Sequence, residues 1–186
     1  AQTQSLSKNE WSILALDSSN SVTLICMTPQ ASRIMRIWPS ITSLGGDTGY
    51  YYANWLWKIR GFLDQLIGGF GLRRGRRSSK TLHTGDAVDF WCILKVQRFE
   101  TLVLSSEMKL PGEAALIFRL KPSGEGRTEV QQIARFMPKG LLGITYWYAV
   151  LPFHHFVFNG MLRGIAHSSG APLLQGPEHF DASDQE

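Results

Sequence analysis

Arg73, Arg74, Arg76 and Arg77, followed by Lys80, form the densest polar group in the sequence. Guanidinium groups pair with phosphate or carboxylate through planar, two-pronged hydrogen bonds. The glycines among them could let backbone N–H groups join such an anion site. A solvated loop with structural ion pairs is the simpler alternative. The cluster is short, and the tryptophans and tyrosines read as packing residues, which disfavours nucleic acid as a partner. Gly69-Phe70-Gly71-Leu72-Arg73-Arg74-Gly75 has glycine spacing reminiscent of a dinucleotide loop. That mechanism needs a strand before it and a helix after it. Here a helix precedes and an arginine-rich segment follows, so the nucleotide reading fails.

His154 and His155 are the side chains best suited to titrate near neutral pH. On a helix only one of two adjacent residues points squarely inward. His155 is the better candidate, because Tyr148, Leu151, His155, Phe158 and Leu162 approximate one stripe. A packed core or rim histidine is the plainer reading of either. Asp89 and Glu107 fall by strand parity on a charged, solvated face, where cross-strand ion pairs are the default. Cys92, Ser106 and Gln132 are polar residues on the opposite, apolar face. Neighbours can satisfy them, or they can orient a ligand. No nucleophile elbow, phosphate loop or metal-ligand cluster occurs, so neither a metal nor a cofactor is expected.

The elements that must position these residues read as follows. Val22–Met27 is a strand, and Thr28-Pro29 opens a short helix that Trp38-Pro39 ends. A second helix places Trp55, Leu56, Ile59, Phe62, Leu63, Leu66 and Ile67 on one broad face, which predicts a buried stripe. Lys58, Arg60, Asp64 and Gln65 lie off it, and Gly68-Gly69 stops it. From residue 86 the period becomes two. Four runs, around 88–96, 101–108, 114–121 and 130–136, are joined by short turns and predict an antiparallel meander. Phe90, Cys92, Leu104, Ser106, Phe118 and Gln132 share its apolar face.

That face needs a cover, and residues 140–166 supply one. No acidic or basic residue other than histidine occurs from Gly140 to Met161. This length meets the requirement of a membrane span. Pro152, His154, His155 and Asn159 favour a docked, Pro-kinked helix instead. Peripheral membrane contact through part of it stays open.

The order of strand, two helices, antiparallel strands and long helix resembles the helix-grip fold of START-related lipid-transfer proteins. Leu56-Trp57-Lys58-Ile59-Arg60-Gly61-Phe62-Leu63-Asp64, Gly85-Asp86-Ala87-Val88-Asp89-Phe90-Trp91 and Glu107-Met108-Lys109-Leu110-Pro111-Gly112 are similar to the signature of one bacterial family of unknown function. Tyr146-Trp147-Tyr148 continues it. The resemblance covers roughly residues 28–166. It implies a helix-grip domain, found alone or fused behind an NAD(P)-binding reductase-type domain that would be a natural partner. It brings no catalytic residue. Cys92 stands where the resemblance leads one to expect a basic residue.

Composition agrees with one α+β domain over 21–167, between flexible tails at 1–20 and 168–186. The net charge of +4 is uneven: residues 1–80 hold ten basic and four acidic residues, the rest nine and eleven. Two cysteines without metal spacing fit a reducing cytoplasm. The absence of a starting Met reads as a processed chain or a domain of a longer one. The expected function is binding of an apolar or amphipathic, lipid-like molecule between sheet and final helix. Phe90, Cys92, Leu104, Ser106, Phe118, Gln132, Tyr148 and His155 would line the site, with the arginine cluster at its entrance. A cyclase or isomerase using His155 or Tyr148 is the alternative, and a module docking on a reductase is another.

Overall fold

A computed structural model describes residues 20–27, 34–69, 71, 82–124 and 126–179. The arginine cluster 73–77 with Lys80, the Thr28-Pro29 cap and most of the proposed N-terminal tail lie outside these residues. In chain order the elements are β1 (Asn20–Met27), α1 (Ile34–Thr42), α2 (Asn54–Leu66), β2 (Ala87–Val88), β3 (Trp91–Gln97) and β4 (Thr101–Ser106). Then follow β5 (Gly112–Pro122), β6 (Arg127–Pro138), α3 (Gly140–Ser169) and β7 (Leu173–His179).

The strands form one sheet in the order β2-β3-β4-β5-β6-β1-β7, and every paired neighbour is antiparallel. The meander is therefore as expected. The first strand closes on its last member, with Asn20 opposite Ala134. Leu173–His179, inside the segment read as a tail, is a strand on the far edge of β1. Pro39 does not end a helix. It lies inside α1, where its missing N–H leaves the carbonyl of Met35 unbonded within the helix, on a residue that is itself exposed.

The second half of α3 covers the sheet. Val157, Phe158, Met161, Leu162, Ile165 and Ala166 are buried against Leu104, Leu116, Phe118, Val130 and their neighbours in one apolar core. By length and composition α3 would also suit a membrane span, but this half of it is committed to the sheet. The apolar face of β4, β5 and β6 follows the expected alternation. The opposite face is not wholly polar: Ile117 and Ile133 form a small second cluster there with Val103.

Alternation fails in β3. Asp89 and Phe90 make a tight connection, with Asp89 at φ 53°, and the register slips between Ile93 and Lys95. Trp91 and Ile93 consequently face the core, while Cys92 is only half buried and Leu94 is exposed.

The orientation of α2 inverts the expectation. Its buried residues are Trp57, Gly61 and Asp64. Trp55, Ile59, Phe62, Leu63, Leu66 and Ile67 face outward, and Trp55, Phe62 and Leu66 are each at least 60% exposed. The cause is local. Asp64 Oδ2 accepts the N–H of Gly71 and its Oδ1 accepts the N–H of Lys109, both at 2.8 Å. Lys109 also donates its ammonium to the carbonyl of Ile67 at the helix end. Gly71 has φ 57°, and a Cβ there would crowd Gln65 and the carbonyl of Gly61.

Replacing Asp64 with Ala would leave two buried donors without an acceptor. Urea denaturation should show a loss of about 3 kcal/mol; an unchanged midpoint would remove Asp64 from this anchoring role.

Candidate functional site

An aromatic wall built by the 45–57 region carries the inner side of α2. Tyr50 stacks on Trp57 with centroids 4.3 Å apart, and both stack on Phe90. Tyr50 donates its hydroxyl to Asp89 Oδ2 at 3.0 Å, and the same oxygen accepts the N–H of Gly46. Burial first, then the Asp89 charge, pushes the Tyr50 phenol well above its ordinary range. Asp89 is thus a buried structural acceptor, not a member of a solvated lattice.

From this wall α1 packs closely on α3, whereas α2 stands off and leaves a groove. The groove measures about 360 Å³. Leu56, Ile59 and Leu63 form one side, with Val150, Phe153 and Val157 on the other. At its inner end Trp57, Arg60, Tyr146, His154 and Phe158 also line a void of about 40 Å³ against Ala114, Leu116 and Ala134 of the sheet. The space between sheet and final helix is therefore nearly filled, and room for a ligand lies beside α3 rather than beneath it.

Polar atoms concentrate at that inner end. Trp57 Nε1 and His154 Nδ1 are buried and have no hydrogen-bond partner among the described residues. Arg60 is half buried. Its Nε points at Met108 Sδ, 3.3 Å away, and its guanidinium lies 5.8 Å from the Tyr146 ring centre. Among the described residues it has no carboxylate partner. The His154 ring rests between Trp147 and Phe158. Burial, and then the charge of Arg60, lower its pKa from 6.5 to about 3. It is a neutral imidazole at physiological pH.

The structure separates the residues that sequence reasoning grouped. Phe90, Leu104 and Phe118 are buried core residues. Cys92 is turned away by the β3 irregularity, so it does not line the core. Ser106 Oγ accepts the N–H of Met108 and shapes a turn. Gln132 is fully buried on the expected face, and neither side-chain amide atom has a partner; it lies away from the groove lining. Tyr148 is 69% exposed and His155 is exposed as well. Their inward counterparts are Trp147 and His154, one position earlier. An acid–base role for Tyr148 and His155 inside the fold has no geometric support.

A larger concavity of about 830 Å³ lies by Trp38, Leu82 and Phe99. Four of its polar side chains are engaged internally: Ser43 with Tyr51, Thr42 with the Pro39 carbonyl, His83 with Asp86, and Arg98 on the Phe99 ring. No cluster of potential metal ligands occurs among the described residues.

The family model described as protein of unknown function (DUF2867) matches residues 24–161, well over half the chain. The chain belongs to that family. The match falls on nearly the same stretch as the motifs read from the sequence. No curated protein matches it. Among solved structures, an HSP90 activator from Plasmodium falciparum is similar over 83% of this chain and 98% of its own, with 10% identity and a TM-score of 0.46. A protein from Arthrobacter aurescens has 13% identity and the same TM-score, covering 82% and 86% of the two chains. One from Micromonospora echinospora has 14% identity and a TM-score of 0.39, over 82% and 83%. Likeness at this level says nothing about what members of the family bind.

The depressed pKa of His154 links stability to pH. The unfolded chain takes up a proton near pH 6.5, whereas the folded one resists until about 3. Stability is therefore full above pH 6.5 and falls as pH drops through this window. Between pH 7.5 and 5.5 the native protein should lose about 1 kcal/mol more than His154→Gln. Urea titrations at both values measure it; equal losses would show that His154 titrates normally.

Proposed function

We propose that this domain binds a small amphipathic molecule, its apolar body in the groove between α2 and α3 and its anionic or oxygen-rich end at Arg60. One observation carries the reading. Among the described residues, a half-buried arginine without an acid partner sits beside two buried ring nitrogens, Trp57 Nε1 and His154 Nδ1, that have no hydrogen-bond partner. Such groups are normally satisfied, and leaving them open favours a ligand that completes them. The groove volume falls within the range of small-molecule sites, and its lining is mainly apolar with few convergent polar points. Neutral His154 can accept or donate a hydrogen bond according to its tautomer, so it suits either a hydroxyl or a carboxylate oxygen.

This revises the expected location, not the expected kind of ligand. The element order, with β1 closing on the last strand of the meander and α3 laid across, supports a helix-grip reading of the fold. The outward placement of Tyr148 and His155 favours a carrier or sensor over the cyclase-type alternative.

Anilinonaphthalene sulfonate, an apolar ring system with one anionic group, is a suitable probe. Arg60→Met should weaken its fluorescence-detected binding by about tenfold, the loss expected for one charge-assisted hydrogen bond. Trp55→Ser, outside the groove lining, should leave it unchanged. Equal affinity of Arg60→Met and the native protein would overturn the assignment.

A further inference from the structure

The outer face of α2 is an apolar surface open to solvent. Trp55, Ile59, Phe62 and Leu66 recur at helical spacing and all point outward. Leu63 and Phe153 extend the patch across the groove mouth to α3. Beyond them, Leu141 and Leu142 at the start of α3 are about four-fifths exposed. Scattered apolar residues are normal on a surface, but a contiguous helical stripe of this kind marks a contact site.

Charge identifies the partner. Exposed Lys58 lies within the same helix, and Lys109 is bonded to its C-terminal end. The one acid of α2, Asp64, is buried and fully engaged by backbone N–H groups. A helix presenting Trp, Phe and Leu toward its surroundings and flanked by cations matches an anionic lipid surface, where apolar rings enter the interface and lysines meet headgroups. A protein partner with an acidic rim would need matching apolar sockets; a bilayer needs only that the stripe be open to its surroundings, as this one is.

We infer that this domain docks peripherally on anionic lipid bilayers through the outward stripe of α2 and the adjoining Phe153. Ile59 and Phe153 also line the groove, but Trp55, Phe62 and Leu66 do not, so changes at Trp55 and Leu66 test the surface separately from the groove ligand.

Vesicle co-sedimentation tests it. The full chain should bind mixed phosphatidylcholine and phosphatidylserine vesicles more tightly than pure phosphatidylcholine, and less tightly as salt rises. Trp55→Ser combined with Leu66→Ser should reduce binding by at least about tenfold, given the apolar area withdrawn. Both residues are exposed, so circular dichroism should show the native fold. Lys58→Gln should narrow the preference for the anionic vesicles. No binding to either vesicle, or equal binding by the double variant, would overturn the proposal. So would a stable dimer in analytical ultracentrifugation that the double variant dissolves, since the stripe would then be covered by a second copy. If the native chain binds anilinonaphthalene sulfonate but neither kind of vesicle, docking is overturned and the groove reading stands.

Discussion

Asp64 sets the rotation of α2, and much of the molecule's surface follows from it. Its two oxygens hold backbone N–H groups from the loop after the helix and from the turn before β5. Turning the helix outward by half a turn would bury an apolar stripe but strand a carboxylate in solvent and free those donors. Two charge-assisted bonds do not by themselves match the burial of six apolar side chains. The outward arrangement is thus not the one that apolar burial alone would choose. The close packing of Trp57 in the Tyr50–Phe90 stack supplies part of the difference, and a cover for the stripe would supply the rest.

The same rotation creates the groove. Trp57 and Arg60 are turned toward α3, Leu56, Ile59 and Leu63 edge the gap, and Trp55, Phe62 and Leu66 are turned away, so α2 stands off from its neighbour. Polar atoms gather where the two helices and the sheet meet. A filled core and an adjoining groove therefore coexist: the core belongs to the second half of α3 and the groove to its first half and middle, with Val157 and Phe158 shared.

Much of the architecture was legible in the sequence. The meander, the first strand, the helix ending at Gly68 and the long final helix all carry strong periodic or capping signals, and the family motifs lie within them. What could not be read was rotation. In α3 nearly every residue of 140–158 is apolar or aromatic, so no polar side marks the outward direction. The stripe through Tyr148 and His155 points inward by sequence, whereas Trp147 and His154 do so in the structure. In β3 a positive-φ residue and a register slip shift the alternation, and no local pattern around Asp89 announces them. In α2 the period was correct but its meaning was reversed, because hydropathy assigns an apolar stripe to the interior and cannot see a buried aspartate bonded to glycine and lysine amides far along the chain. Hydropathy reports what would prefer to be covered; it does not say by what.

The position of β1 has a consequence for how the chain acquires its structure. It lies between β6 and β7, with Val22 opposite Gln132 on one side and His179 on the other. Both partners are synthesised more than a hundred residues after it. Sheet contacts this distant in sequence form slowly, since a long loop must close before any ladder bond rewards it. The β3–β6 meander joins sequence neighbours and can assemble while the rest of the chain is still emerging. The N-terminal strand must wait, its ladder groups open, until the last strand arrives to complete the sheet.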